Sequence, residues 1–277
     1  MSYRNELIEH LVAYKRTHLG SIVAGTYNYR GQNVLRQHIL PHRDGLLNLM
    51  ESTREEIVVY LSSNPQIKKH KYFHHLNSSQ AFALNLFVPY FQSRDGAAES
   101  LLTALGQKGS LVGWELESVP DTVEGTNLDA VWDTSEGVRT FCEVKLSEQD
   151  FGKARRDQRH LDKLREIYLP RLAPYLDQEM QAPTAFFASY QILRNVWHML
   201  GTANARLLLL LPRANANLWP LLGGILARLP PSVHERISTV AIEDVLKHLQ
   251  TDPRCPRELR AYAEQLQTKY VPQNLAT

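Results

Sequence analysis

The amino-acid sequence predicts an α/β fold in which helices flank a central mixed β-sheet, with a helical extension at the N-terminus. Three observations lead there. From about residue 97 onward, stretches of helical periodicity alternate with short apolar runs, the order expected of a sheet interleaved with helices. Two of those runs, Thr126-Asn-Leu-Asp-Ala-Val-Trp132 and Phe141-Cys-Glu-Val-Lys-Leu146, bracket the turn-rich Asp133-Thr-Ser-Glu-Gly137 and read as a β-hairpin. A chain of 277 residues buries enough surface for one large domain, or for a domain carrying an extension.

Residues 5–17 have the spacing of an amphipathic helix and lead into a Gly- and Tyr-bearing stretch over 19–31. A second helical pattern covers 44–62 and ends at Ser63-Asn-Pro65, where the proline disfavours helix in the residue before it. The cluster Lys68-Lys-His-Lys71 with Tyr72 and Phe73 reads equally as a nucleic-acid contact and as a surface loop. Asn77-Ser-Ser-Gln80 is a helix entry, with Ser78 or Ser79 to cap it, and Pro89 is expected to stop or bend that helix. After the hairpin a basic helix is expected to about residue 168, and the prolines of 170–183 mark a connection. A helix over 185–200, a short buried strand over 205–211, a proline-bounded helix over 219–229, a strand over 236–242 and helices over 243–249 and 256–269 complete the chain. No internal repeat and no low-complexity segment interrupts this order.

The hairpin is where chemistry concentrates. Side chains alternate across a strand, so Glu143 and Lys145 project together while Cys142, Val144 and Leu146 project the other way. On the first strand Leu128, Ala130 and Trp132 take the core side and leave Asp129 opposite. Two carboxylates and an ammonium therefore meet on one face. Carboxylates from adjacent strands suit Mg²⁺ or Mn²⁺, which prefer oxygen ligands and keep several waters. Such an ion activates water and stabilises charge on a phosphoryl oxygen, and a lysine beside it offsets phosphodiester charge. A solvated strand face is the competing account, but Phe-Cys-Glu-Val-Lys-Leu is otherwise apolar, as strands covered on both faces are. Buried charges are normally paired or bound to metal.

Asp129 followed by Glu143-Val-Lys145 in an apolar hairpin resembles the active-site signature of the PD-(D/E)XK nuclease superfamily. Asn77-Ser-Ser-Gln80-Ala-Phe-Ala-Leu-Asn85-Leu-Phe87, Glu124-Gly-Thr-Asn-Leu-Asp129, Glu143-Val-Lys-Leu-Ser-Glu-Gln-Asp-Phe-Gly152 and Tyr190-Gln-Ile-Leu-Arg-Asn195, in this order, are similar to a bacterial group of restriction endonucleases within it. The likeness runs over roughly residues 70–212, and Leu128 stands where the signature often has proline. It implies a restriction-endonuclease-like core in residues 76–277 behind a helical extension over 1–75, and Mg²⁺-dependent (or Mn²⁺-dependent) hydrolysis of DNA phosphodiester bonds. Asp129 and Glu143 would be the metal ligands, with the Val144 carbonyl as a third oxygen, and Lys145 would orient or activate the attacking water. Relatives add an upstream glutamate, for which Glu99 and Glu117 are favoured over Glu115. They also place a helical glutamine beside the site, here Gln191, with Arg194 one turn on facing the same way. A DNA methyltransferase encoded nearby and a second copy of the chain are the implied partners. A nuclease without sequence preference acting on DNA or RNA, and a non-cleaving DNA-binding module, are the alternatives on the same fold.

Composition is compatible with a soluble cytoplasmic enzyme. No apolar run is long enough to span a bilayer, the first ten residues lack the apolar stretch of a secretory signal, and two cysteines cannot make a disulfide framework. Formal net charge is only +2, but between residues 151 and 171 Lys153, Arg155, Arg156, Arg159, Lys163, Arg165 and Arg171 outnumber Asp157, Asp162 and Glu166. Lys153, Arg155, Arg156, Arg159 and Arg194 are accordingly expected to meet nucleic-acid phosphates, with Arg155, Arg156, Arg159 and Lys163 on one helical stripe. Gly106-Gln-Lys-Gly-Ser110 lacks the P-loop order, Gly223-Gly224 has no dinucleotide fingerprint around it, and no Gly-x-Ser-x-Gly elbow occurs. His70, His74 and His75 read as surface or packing residues.

Overall fold

The computed structural model describes residues 2–93 and 95–272. Its centre is a five-stranded sheet in the order β3-β4-β5-β6-β7. The strands are β3 (Leu111–Ser118), β4 (Leu128–Thr134), β5 (Arg139–Val144), β6 (Ala205–Leu211) and β7 (Ile237–Ala241). The first three run antiparallel and β5, β6 and β7 run parallel, so the sheet is mixed. A separate two-stranded ribbon, β1 (Gly25–Tyr29) with β2 (Gln32–Arg36), lies in the N-terminal segment. The Tyr-rich stretch did not announce it.

The helices are α1 (Tyr3–His18), α2 (Arg54–Ser63), α3 (Ser79–Gln92), α4 (Ala97–Ala104), α5 (Gln158–Lys163), α6 (Leu169–Leu172), α7 (Gln178–Gln181), α8 (Pro183–Ala188), α9 (Tyr190–Leu200), α10 (Leu218–Leu226), α11 (Pro231–His234), α12 (Ile242–Thr251) and α13 (Arg257–Tyr270). None is long and apolar enough to cross a membrane. Residues 44–53, expected as helix, form 3-10 turns before α2 begins. The helix expected over 185–200 breaks at Ser189 into α8 and α9.

Both faces of the sheet are covered, and alternation decides which residues go where. Ala130, Trp132, Cys142, Val144, Leu208 and Leu210 join one apolar cluster with α3, α4, α12 and α13. Val131, Phe141, Leu207, Leu209 and Leu211 join a second with α9. Leu128 departs from the expected alternation, packing in the second cluster rather than beside Ala130 and Trp132. Tyr3, Leu7 and Leu11 of α1 share the first cluster with α3 and α13, so one continuous apolar core runs from the N-terminal segment to the sheet.

Helix α3 starts as expected, the Ser78 hydroxyl accepting from the Ala81 amide. Pro89 does not stop it. Proline leaves the carbonyl four residues earlier without its helical donor, and the Tyr262 hydroxyl supplies one to Asn85 at 2.7 Å.

Candidate active site

The register Ala130↔Cys142 and Val131↔Phe141, extended one step, sets Asp129 opposite Glu143 on the face covered by α9. The backbone ladder between β4 and β5 ends there. The Val144 amide instead donates to Asp129 Oδ2 at 2.7 Å, so the carboxylate takes a hydrogen bond that strand backbone would otherwise have accepted. Lys145 follows the end of β5, its amide tied to the Leu210 carbonyl of β6 and its Nζ 2.9 Å from Glu143 Oε1. Both side chains are buried, with Glu143 only 2% and Lys145 6% exposed.

What makes that burial tolerable is a polar stripe on α9. Gln191, Arg194, Asn195 and His198 recur at three- and four-residue spacing and face the sheet together. Gln191 bridges the ion pair: its Nε2 donates to Glu143 Oε1 at 2.6 Å, and its Oε1 accepts from Lys145 Nζ at 2.6 Å. Asn195 donates to the other Glu143 oxygen at 2.9 Å, with the Arg194 guanidinium 3.8 Å from it. Gly152 permits the approach of Gln191, since a Cβ built there would lie 2.9 Å from its Oε1, and its φ of +70° is one that side-chain-bearing residues avoid.

On the other side of Asp129 lies Glu117, on edge strand β3, held at a left-handed φ of +51°. The Asn127 amide donates to Glu117 Oε2 at 3.0 Å, and the Asn127 carbonyl accepts from Arg194 at 3.3 Å. The turn carrying Asn127 is anchored by Glu124, which is buried and ionised. Its carboxylate accepts from the Thr126 amide at 3.0 Å, from Tyr168 at 2.5 Å and from the Thr126 hydroxyl, with His198 Nε2 3.3 Å away. Burial would raise the Glu124 pKa, but these donors and Lys163 hold it far below the usual carboxylate range.

The charges on this face are set against one another. Burial pushes the Asp129 carboxyl well above its ordinary range, Glu143 and Glu117 push the same way, and Lys145 and the Val144 amide only partly oppose them. Glu143 is also pushed up by burial, but Lys145, Arg194 and the donors from α9 bring it below its ordinary value. Burial works against charge on Lys145 too, and Glu143 more than restores it, so the ammonium is retained. Glu117 is raised by burial and by Glu143.

The carboxylates of Asp129 and Glu143 are the oxygen donors that a small hard cation would use here. Asp129 carries repulsion from two neighbouring carboxylates that bound positive charge would relieve. Among the described residues no three His, Cys, Asp or Glu side chains form a ready-made metal cluster. A cation here would draw on Asp129, Glu143 and the Val144 carbonyl, with waters completing the set, which is how Mg²⁺ is commonly held.

The structure thus brings together Asp129, Glu143, Lys145, Gln191 and Glu117. Glu99 lies elsewhere, on α4, where its charge acts on Arg254, and Glu115 accepts from Ser118. Arg194 is 8% exposed and engaged with Asn127 and Asn195, so it is a buried brace rather than a surface contact for phosphate. The basic stripe does not form as expected. Arg155 and Arg156 precede the Asp157 N-cap of α5 in irregular chain, Lys163 is turned inward onto Glu124, and Lys153 pairs with Asp150 at 3.4 Å. Asn195, Asn127 and Glu124 were missed. All three lie inside the blocks Glu124–Asp129 and Tyr190–Asn195, and Asn195 was further within reach, being four residues from Gln191 on the same helical face.

Glu117, Asn127 and Asp129 line one end of a cleft of about 1500 Å³. The family model for restriction endonuclease associating with ARP matches residues 9–271. No curated protein and no solved structure matches significantly. The match spans nearly the whole chain and agrees with the mixed sheet and its charged hairpin, and the protein belongs to this family of restriction endonucleases.

Proposed function

We propose that the protein is a Mg²⁺-dependent endonuclease of restriction or defence type that hydrolyses DNA phosphodiester bonds. The observation that carries this reading is the convergence of Asp129, Glu143 and Lys145 at the end of a hairpin, with the Asp129 end open to the cleft. When bound, Mg²⁺ or Mn²⁺ lowers the pKa of a coordinated water and neutralises charge on a phosphoryl oxygen. Asp129, Glu143 and the Val144 carbonyl are the oxygens that would hold it. Lys145 keeps its proton because Glu143 stabilises the ammonium, so it serves as a fixed positive charge that orients water and offsets phosphate charge. Gln191 holds the Lys145 and Glu143 tips in register, and Asn195 keeps the Glu143 carboxylate oriented.

Cutting both strands of a duplex is simplest with two active sites, which makes a homodimer the expected working unit. A methyltransferase encoded nearby is the expected protector of host DNA. Incubating the protein with plasmid and Mg²⁺ tests the assignment. Cleavage that disappears in Asp129→Ala and Lys145→Ala supports it, and discrete fragments indicate sequence preference where a smear indicates none. DNA binding without cutting, indifferent to both substitutions, would leave only a binding module.

A further inference from the structure

The cleft has two unlike walls. Its floor is the charged end of the sheet, with Glu117, Asn127 and Asp129 and, beyond β5, Glu148 and Asp150. A second part of its lining, here the wall, comes from the N-terminal segment: Arg4 at the start of α1, Arg36 at the end of β2, and Lys68, Lys69 and Lys71 on the loop before α3. All five cations are exposed and, among the described residues, none is in an ion pair. We infer that this wall is the clamp for the DNA backbone, holding a duplex against the catalytic face. The inference rests on the nuclease reading above for the nature of the substrate.

The wall is built to keep its shape. Gln80, 7% exposed near the start of α3, accepts from the His70 amide at 2.7 Å and donates to the Lys68 carbonyl at 3.0 Å. Gln80 itself lines the cleft together with Glu117. Lys15 of α1 donates to the carbonyls of Val23, Gln37 and Ile39 at 2.9, 3.1 and 3.3 Å and fastens the ribbon. Rings complete the surface: Tyr72 packs 4.8 Å from His75 and 5.3 Å from His70, with Lys71 4.6 Å over its face. Two buried polar atoms of residues lining the cleft, His75 Nε2 and Asn77 Oδ1, have no hydrogen-bond partner within the protein.

The charge of the wall comes from its lysines and arginines. Burial and neighbouring cations push the pKa of His38 down to about 4, and burial with the adjacent histidines does the same for His75. The competing surface, Lys153, Arg155 and Arg159, does not line the cleft. Phosphate contacts of this kind provide most sequence-independent affinity and make it steeply salt-dependent.

The decisive measurement is binding of a fluorescent DNA duplex to the full chain in EDTA, between about 50 and 200 mM salt. A Lys68→Ala/Lys69→Ala/Lys71→Ala variant should bind about tenfold or more weakly, with the salt slope reduced by about three. Its melting temperature should be unchanged. A Lys153→Ala/Arg155→Ala/Arg159→Ala variant should keep the wild-type slope. With Mg²⁺, the wall variant should raise KM while leaving kcat near wild type. Wild-type affinity and slope in the wall variant would overturn the inference, as would loss of binding confined to the outer triple or selective wall-dependent binding of RNA. If the wild type binds DNA through the wall yet never cuts it, the nuclease reading fails and the clamp stands.

Discussion

Lys145→Met is the perturbation whose cost follows most directly from the structure. Methionine keeps most of the apolar stem and deletes the ammonium tip, leaving Glu143 at 2% exposure without the charge 2.9 Å away. Breaking a buried pair by removing one partner costs about 3–5 kcal/mol. For a chain of this size that lowers the melting temperature by roughly 6–10 °C. The double variant Glu143→Gln/Lys145→Met should recover most of the loss, because an amide in that pocket can still bond Gln191 and Asn195 without an uncompensated charge. In the wild type, burial is outweighed by Lys145 and Arg194, and the folded-state pKa of Glu143 is depressed. Its ionisation therefore stabilises the fold above about pH 4.3 and that contribution is lost as pH falls through the folded value. Without Lys145, burial is opposed only by Arg194 and the donors from α9, so the depression of the Glu143 pKa, and the stability it adds above about pH 4.3, should shrink. The gap between variant and wild type should narrow on acidification. Thermal melts of the two singles and the double at neutral and mildly acidic pH test all of this. A Lys145→Met variant within about 1 kcal/mol of wild type, or a double variant whose cost is the sum of the singles, would refute the reasoning.

Other outcomes follow from the same geometry. Mg²⁺ should raise the melting temperature of the wild type and have little effect on Asp129→Asn, since a ligand that binds only the folded state stabilises it by mass action. Gly152→Ala should cost about 1–2 kcal/mol from its positive φ and cut cleavage by displacing Gln191 from Lys145 and Glu143. Restoring cleavage with Gly152→Ala/Gln191→Ala would not be expected, because Gln191 itself bridges Lys145 and Glu143. Glu124→Gln should flatten the acid side of the stability profile. The Glu124 pKa is depressed when folded, so its contribution is present above about pH 4.3 and fades as pH falls. Melting temperatures across that range check it.

What could be read locally was read well. The hairpin and the shared face of Asp129, Glu143 and Lys145 follow from the two-residue period of a strand, which needs only a short window of sequence. So does the split of the leucines of β6 between two cores. Capping of α3 by Ser78 is equally local, whereas the persistence of that helix through Pro89 depends on Tyr262, far along the chain.

The choice of Glu117 over Glu99 belongs to tertiary structure. Both precede the hairpin, and only the pairing of β3 with β4 brings one of them beside Asp129. Basic residues after the hairpin were an equally local reading, and the single helical stripe it expected is broken, with Arg155 and Arg156 in irregular chain before α5. Lys163 turned inward to satisfy buried Glu124, while the cations that line the cleft come from a segment beginning at Arg4. Sequence by itself determined which charged side chains share the hairpin face, because strand alternation and residue type suffice for that. Only the folded molecule decided which distant side chains brace the carboxylates and which surface faces them, because those contacts depend on which elements pack together and not on any spacing along the chain.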